Sequence, residues 1–278
     1  MSNLSHSNRM NLRRRTLGAL AFTAAACFGT AFAQTTTEFK PEVGQAGKDV
    51  IWVPTPNELV DKMLKMAKVT PNDFVMDLGS GDGRTVIAAA KNFSARAMGV
   101  EYNPNMVALS IKNAEKDAVI DRVKFVNADL FDTDLSQASV ITMYLLPSIN
   151  LRLRDKILAL KPGTRVVSHA FDMGEWKADE TGNVEGRNAY LWIVPAKAAG
   201  TWKVDAGNAG FEMALAQTFQ QLEGSVNAAG KASKIEKASL NGDQVSFTAN
   251  GRAFAGKIAG DKMEGTVGGS KFTATKIK

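Results

Sequence analysis

A short run of glycines and acids, Asp77-Leu78-Gly79-Ser80-Gly81-Asp82-Gly83-Arg84, is the part of the sequence that most clearly indicates chemistry. It lies between an apolar segment, 74–76, that predicts a strand and a segment, 85–91, that predicts a helix. Glycines at such a turn let the backbone bend sharply and approach a ligand without hindrance from Cβ atoms. The N-terminus of the following helix presents free N–H groups. The run therefore predicts a ligand-binding turn.

Two further acids follow the next two predicted strands. Glu101 comes after the strand-like segment 97–100, and Asp129 comes after the segment 123–126. A carboxylate at the tip of the second strand can accept hydrogen bonds from both hydroxyls of a ribose, and one after the third strand can accept from an adenine amino group. Because consecutive parallel strands end at the same edge of a sheet, we expect a crevice there that holds an adenosine ligand.

The charge of this region indicates which adenosine ligand it binds. Asp77 and Asp82 flank the glycines, and Glu101 is expected nearby. These carboxylates would repel a pyrophosphate, whereas S-adenosylmethionine carries a sulfonium and an ammonium. The sequence thus favours S-adenosylmethionine over a dinucleotide, provided that the fold gathers the acids around an open crevice.

The elements that must position these residues alternate between helix and strand over residues 50–195. Such alternation, with nearly continuous apolar strands, predicts βαβ units and a parallel sheet covered on both faces. After about residue 200, turn signals such as Asn241-Gly242 and Asn250-Gly251 recur about every nine residues between alternating apolar positions. This pattern predicts a small antiparallel β-meander of five or six strands with a structural or docking role. The predicted organisation is a signal peptide at 1–33, a linker at 34–49, an α/β domain at 50–198 and a β domain at 199–278.

The N-terminal segment has the three parts of a secretory signal peptide. Three arginines, 13–15, precede an uncharged stretch, 16–33, which ends in Ala31-Phe32-Ala33. We expect cleavage after Ala33 and export to the periplasm; a single membrane anchor is the alternative, and Sec, twin-arginine and lipoprotein routes all remain open. Export conflicts with the cytoplasmic supply of S-adenosylmethionine.

The charge balance gives little support for a nucleic-acid partner. The chain has 34 basic and 28 acidic residues, but four arginines and no acid lie within residues 1–33. The remainder is close to neutral, so the high isoelectric point reflects the N-terminal segment. The sequence shows no metal-binding cluster, and Cys27 is the only cysteine.

These motifs resemble the cofactor motifs of class I S-adenosylmethionine-dependent methyltransferases. Over residues 50–195 the sequence is similar to the lysine methyltransferases that act on the mitochondrial ATP synthase c subunit and adenine nucleotide translocase, and to their bacterial relatives. The resemblance implies a Rossmann-like seven-stranded sheet with a reversed last strand, to which residues 190–194 would contribute. It rests on Val53-Pro54-Thr55-Pro56, on the run from Asp77 to Arg84, on Glu101-Tyr102-Asn103-Pro104, Asp129-Leu130 and Tyr144-Leu145-Leu146-Pro147, and on Pro162-Gly163-Thr164-Arg165-Val166-Val167-Ser168.

The resemblance also implies which residues form the site. The loop after the fourth strand would face the transferred methyl group, with Tyr144 as an acceptor or an aromatic wall and Pro147 stiffening the loop. Asn150 would either orient the acceptor or cap a helix, and His169 is expected to be a structural histidine rather than a base. The implied cofactor-binding residues are Thr55, Asp77, Gly79, Ser80, Gly81, Gly83, Glu101, Asn103, Asp129 and Leu130, with an ordinary helix cap as the alternative for Thr55.

The sequence does not decide between several functions, which differ in the methyl acceptor. A lysine acceptor must first lose a proton, since its reference pKa is about 10.4. The lysine could belong to a soluble or a membrane-associated protein. The alternatives are a small-molecule methyltransferase and an exported binding or scaffold protein that keeps the cofactor fold without turnover. The Asn/Asp-Pro-Pro-Tyr/Phe loop of amino-methylating DNA enzymes is absent after the fourth strand, which argues against DNA.

Overall fold

The computed structural model describes residues 39–207 and 210–278 of the 278-residue chain. The predicted signal peptide, residues 1–33, lies outside the described residues. Within the part that is described, no helix is both long and apolar enough to cross a membrane.

A seven-stranded sheet forms the first half of the described chain. Its strand order is β3-β2-β1-β4-β5-β7-β6, with β1 to β5 parallel and the β6–β7 hairpin antiparallel. The reversed last strand predicted near residues 190–194 is β7. The elements are α1 (Asn57–Met66), β1 (Phe74–Leu78), α2 (Arg84–Phe93), β2 (Arg96–Glu101), α3 (Pro104–Lys116), a 3-10 turn (Ile120–Arg122), β3 (Val123–Asn127), β4 (Val140–Met143), α4 (Pro147–Leu158), β5 (Arg165–His169), β6 (Glu180–Val184) and β7 (Arg187–Ile193).

Both faces of this sheet are covered, as the continuous apolar strands predicted. In β1, Val75 faces a core formed with α1, α2 and α3, and the next residue, Met76, faces a second core formed with α4. Val140 and Ile141 of β4 alternate in the same way. Because successive strand residues point to opposite faces, a run that is apolar at every position must be buried on both.

The second half forms an antiparallel sheet with more strands than predicted. It has nine strands in the order β11-β10-β9-β8-β16-β15-β14-β13-β12 rather than five or six. The sequence pattern predicted too few strands because several short strands joined by tight turns read as a single group of apolar residues. The strands are β8 (Gly200–Asp205), β9 (Gly210–Thr218), β10 (Gln221–Ala228), β11 (Lys231–Lys234), β12 (Glu236–Asn241), β13 (Gln244–Ala249), β14 (Arg252–Ala259), β15 (Lys262–Val267) and β16 (Ser270–Lys276).

The two sheets are in direct contact. The Phe219 ring stacks on Trp176, with ring centroids 6.1 Å apart, and the side chain of Gln220 donates to the carbonyl of Lys177 (2.7 Å). A Cβ at Gly242 would lie 3.1 Å from the Gly163 Cα, so glycine permits the close approach of the backbones here. The nine-stranded sheet therefore braces the segment after β5.

Candidate cofactor and acceptor site

A cavity of about 580 Å³ opens at the carboxyl edge of the parallel sheet. Its volume is typical of a small-molecule site. The fold gathers the predicted acids around an open crevice, which is the condition that the sequence argument required. The predicted site residues that line it are Thr55, Asp77, Gly79, Ser80, Gly81, Glu101, Asn103, Asp129, Leu130 and Tyr144.

The glycine turn after β1 is held from both sides. The N–H groups of Gly79 and Ser80 donate to the carbonyl of Val100 at the end of β2 (2.9 and 3.0 Å). The Ser110 hydroxyl of α3 donates to the Gly81 carbonyl (2.9 Å). Gly81 has φ +55°, and a Cβ there would lie 2.6 Å from Trp52 Nε1. The turn is therefore fixed before any ligand arrives.

Glu101 connects the turn to the next helix. Its Oε2 accepts from the Gly81 N–H, and its Oε1 accepts from the Asn103 N–H, each at 2.9 Å. Asn103 in turn caps α3, since its side chain accepts from the Asn105 N–H (2.9 Å). A carboxylate has about four acceptor positions, so Glu101 can still accept from two hydroxyl groups of a ligand.

Asp77 is buried at the base of the cavity and accepts a hydrogen bond from the Thr142 hydroxyl (2.7 Å). Burial raises the pKa of Asp77 to about 7, and the nearby Asp82 and Glu101 carboxylates contribute to this rise. Asp82 is itself paired with Arg84. A cationic ligand beside Asp77 would stabilise the ionised form of this buried carboxyl.

A hairpin over residues 44–52 covers the cavity, although sequence reasoning placed residues 34–49 in a linker. The hairpin is closed by hydrogen bonds from the Gly44 N–H to the Trp52 carbonyl and from the Trp52 N–H to the Gln45 carbonyl, both 2.9 Å. Residues 45–49 all line the cavity, so this part of the linker prediction is wrong. No local pattern in this segment indicates that it would line a cavity.

Lys48 of this hairpin is a site residue that sequence reasoning missed. Its ammonium forms an ion pair with Asp129 and lies 4.8 Å from the centre of the Tyr102 ring. The hydrogen bond from Lys48 holds the pKa of Asp129 below its usual value. The other oxygen of Asp129 accepts from the Phe131 N–H (2.8 Å). Asp129 is therefore ionised and oriented in the ligand-free protein.

An aromatic cluster forms the other end of the cavity, beyond β4 and β5. The rings of Tyr144 and His169 lie with centroids 3.8 Å apart, and Phe171 stacks on Tyr144 at 6.2 Å. Thr55 Oγ1 lies 3.0 Å from His169 Nδ1, and both residues are buried. Burial, together with the charge of Arg187, lowers the pKa of His169 to about 4. The histidine is neutral at physiological pH and supports the Tyr144 ring, which is the structural role expected for it.

Three expected roles need correction because of where the fold puts the side chains. Gly83 does not line the cavity; a Cβ there would lie 2.8 Å from the Phe125 ring, so this glycine serves packing. Pro147 is exposed at the first position of α4, outside the cavity lining, where its fixed φ starts a helix. Asn150 neither caps α4 nor faces an acceptor; its buried amide donates to the carbonyls of Phe171 (3.3 Å) and Asp172 (3.1 Å).

Thr55 is fixed by more than its contact with His169. Pro56 occupies the position before α1, so Thr55 is not a helix cap. Arg84 donates to the Thr55 carbonyl (2.9 Å) while it also pairs with Asp82 (2.6 Å). These contacts tie the segment before α1 to the glycine turn.

These residues fit S-adenosylmethionine. Ser80 Oγ is buried in the cavity lining and has no hydrogen-bond partner among the described residues. The carboxylates of Asp77, Glu101 and Asp129 provide negative charge and hydrogen-bond acceptors along the edge of β1, β2 and β3. A nucleoside with a cationic tail matches this donor and acceptor pattern, and a pyrophosphate does not.

Comparison with known proteins identifies the family. The chain is 44% identical to a protein-lysine N-methyltransferase of Saccharolobus islandicus over 151 residues, which are 52% of this chain and 94% of that protein. The chain belongs to this methyltransferase family. The model of the ANTKMT methyltransferase domain matches residues 77–180, which include the glycine turn and the segment after β5.

More distant relatives in this methyltransferase family match over only about half of their own length. The human lysine N-methyltransferase of the ATP synthase c subunit is 34% identical over 129 residues, which are 46% of this chain and 54% of that enzyme. The mouse adenine nucleotide translocase lysine N-methyltransferase is 36% identical over 119 residues, 42% of this chain and 52% of that enzyme. The chain thus spans about half the length of these two relatives.

A solved structure supports the same fold and cofactor. The protein is described as an RNA methyltransferase from Salinibacter ruber in complex with S-adenosyl-L-homocysteine. It is 49% identical to this methyltransferase, with a TM-score of 0.51, and the match covers 52% of this chain and 95% of that one. S-adenosyl-L-homocysteine is the product that methyl transfer from S-adenosylmethionine leaves behind.

Proposed function

We propose that this methyltransferase transfers a methyl group from S-adenosylmethionine to the side-chain amine of a lysine in a protein. The observation that carries the proposal is the division of one cavity into two ends. Carboxylates at the carboxyl ends of β1, β2 and β3 line one end, and the uncharged cluster of Thr55, Tyr144 and Phe171 lines the other. Relatives named as lysine methyltransferases support this choice of acceptor.

The carboxylate end would hold the cofactor. Glu101 accepts from the ribose hydroxyls, Asp129 accepts from the adenine amino group, and Asp77 faces the positive charge. When bound, S-adenosylmethionine supplies an electrophilic methyl group on a sulfonium. The protein contributes alignment and exclusion of water, and holding two reactants in register can be worth about 7–11 kcal/mol of a barrier.

The aromatic end would prepare the amine. A lysine must be neutral to attack, and at pH 7 only about one in 2,500 is neutral at the reference pKa. Burial against the rings of Tyr144 and Phe171 lowers the pKa of the amine, and the Tyr144 hydroxyl can accept from it. Because His169 behind Tyr144 is neutral, the pocket holds no positive charge there that would repel the methyl donor.

Two measurements on the purified full-length chain test the proposal. Calorimetry with S-adenosylmethionine is expected to show binding that is weakened in Glu101→Ala and unchanged in Glu115→Ala, an exposed acid on α3. Transfer of labelled methyl groups into a cell-envelope extract is then expected to label protein bands, with the label recovered as methyllysine after hydrolysis.

Each other outcome identifies a competing function. Label in a low-molecular-mass product would indicate a small-molecule methyltransferase, and label in RNA would indicate the activity ascribed to the Salinibacter protein. Binding without transfer to any of these fractions would favour a scaffold. Absence of binding would overturn all cofactor-dependent readings.

We also propose that residues 1–33 direct export, so that the enzyme would meet envelope proteins, including membrane-associated ones. The support is the arginine triplet, the apolar stretch and the Ala31-Phe32-Ala33 end. Cell fractionation followed by blotting tests this: the chain should be recovered from the periplasm with Gln34 as its first residue. Recovery of the full-length chain from the cytoplasm would refute it.

A further inference from the structure

Exposed apolar side chains cluster at the opening of the cavity. Among the described residues, eight large apolar side chains are exposed. Four of them, Ile51, Val53, Tyr102 and Leu146, also line the cavity. A residue that both lines the cavity and is exposed to solvent lies at its opening, so half of these exposed side chains surround one entrance. Such clustering at a site marks a binding surface.

Part of this apolar surface lies on the acceptor side. Val53 is two residues before Thr55, which contacts His169 at the end of β5, and Leu146 is two residues after Tyr144, at the end of β4. Leu151 is 44% exposed on α4 and lies beside the loop after β5, since a Cβ at Gly174 would be 3.0 Å from its side chain. We call Val53, Leu146 and Leu151 the acceptor rim.

Most charged residues that line the cavity lie at its carboxylate end or are already paired with one another. Glu101 is the last residue of β2, Asp129 follows β3, and Lys48 is already paired with Asp129. Arg84 is likewise paired with Asp82. By contrast, the lining residues contributed by 143–149 and by Phe171 are uncharged. A polar or charged group pressed against the rim would lose water without gaining a partner, whereas an apolar side chain would gain by burial.

We propose that the acceptor rim binds the residues on either side of the target lysine, and that this enzyme selects lysines flanked by apolar side chains. This inference rests on the proposed lysine acceptor. The occupant must be the acceptor segment because the rim is continuous with the cavity in which the amine meets the methyl group. The amine passes between the rim residues to Tyr144 while its neighbours remain outside against Val53 and Leu146.

The test uses two peptides of equal length, each with one central lysine. One peptide carries leucine and valine at the flanking positions, and the other carries serine and asparagine. With the full-length chain and labelled S-adenosylmethionine, kcat/KM for the apolar peptide is expected to exceed that for the polar peptide by about tenfold, as burial of two half-exposed apolar side chains predicts.

Substitutions in the acceptor rim test whether the rim causes this preference for apolar neighbours. Val53→Ser and Leu146→Ser are each expected to reduce the ratio of the two kcat/KM values to about threefold or less. Ile111→Ser is the matched control, because Ile111 is as exposed as Val53 (37% each) but does not line the cavity. It should keep the full ratio. Calorimetry with S-adenosylmethionine shows whether each variant is folded, and Leu151→Ser replaces any that is not.

The outcomes separate this inference from the proposed function. Equal kcat/KM for the two peptides, or rim variants that behave like Ile111→Ser, would refute the proposed role of the acceptor rim. Neither result would contradict lysine methylation itself. If neither peptide is labelled although the envelope extract yields methyllysine, only the rim inference is overturned; if the extract yields no methyllysine either, both proposals are wrong. If Leu146→Ser changes the sedimentation coefficient but not the peptide ratio, the surface is a contact between copies of the chain, and the inference is again overturned.

Discussion

Asp77 should make cofactor binding depend on pH in a direction that its surroundings determine. Burial raises its pKa from 3.8 to about 7 in the ligand-free protein. A cationic ligand beside the carboxyl favours its ionised form, so the cofactor binds best once Asp77 has lost its proton. Affinity should therefore rise as the pH is raised toward and past 7.

The size of this effect can be worked out by linkage. If Asp77 stays ionised in the complex, the dissociation constant falls about eightfold between pH 6 and pH 7.5, and binding at pH 6 releases about 0.9 proton. Calorimetry in buffers of different ionisation enthalpy measures both quantities. Asp77→Asn keeps the shape and the acceptor for Thr142 but cannot titrate, so its affinity should change with pH only as the ligand's own amine does.

The same shift predicts a change in stability. A raised pKa means that the protonated carboxyl stabilises the fold below pH 3.8 and that this contribution is lost as the pH rises through 7. The cost to the ligand-free protein at pH 7.5 is roughly 4 kcal/mol. Asp77→Asn should therefore unfold at a higher denaturant concentration than the wild type at pH 7.5. A wild-type affinity that is flat or falls from pH 6 to 7.5 relative to Asp77→Asn would refute this reasoning.

Three further predictions follow from single contacts. Glu101→Gln should weaken S-adenosylmethionine binding by calorimetry at least about tenfold, because charge-assisted hydrogen bonds to ligand and backbone are lost. Thr55→Val leaves His169 Nδ1 without its partner and should lower kcat in the methyl-transfer assay by about tenfold, with a smaller effect on cofactor affinity. Asp73→Asn breaks the largely buried pair with Arg165 and should lower the free energy of unfolding in urea by about 3 kcal/mol.

Each of these three predictions has a control. Glu115→Gln on the exposed face of α3 should bind the cofactor like the wild type; equal weakening in both variants would mean a nonspecific charge effect. Thr55→Ser restores the hydroxyl and should recover kcat, and failure to recover would argue against the contact with His169. Since the pKa of Asp73 lies below its usual value despite burial, because Arg165, Ser139 and Thr70 bond to it, the stability difference should shrink as the pH falls through that pKa. A pH-independent difference would contradict the ion-pair explanation.

Much of the cofactor end was predictable because its signals are local in sequence. The turn after β1 needs glycine at positive φ, as at Gly79 and Gly81, and a strand covered on both faces needs apolar residues at every position. Strands of a parallel sheet end at one edge, so Glu101 and Asp129 could be placed together from their positions after two strands. The number of strands in the second sheet was less predictable, since short strands and tight turns share the same residues.

The acceptor end and the cover of the cavity depend on contacts between residues far apart in the chain. Thr55 meets His169 across 114 positions, and Lys48 meets Asp129 across 81. No local pattern distinguishes Lys48 from an ordinary lysine in a polar segment, or Pro147 at a helix start from a proline at an active site. The sequence by itself determined that carboxylates would surround a glycine turn, because backbone geometry and strand order fix their positions. The tertiary structure alone decided which side chains close the cavity and which apolar residues remain exposed at its opening, because those follow from packing between distant segments.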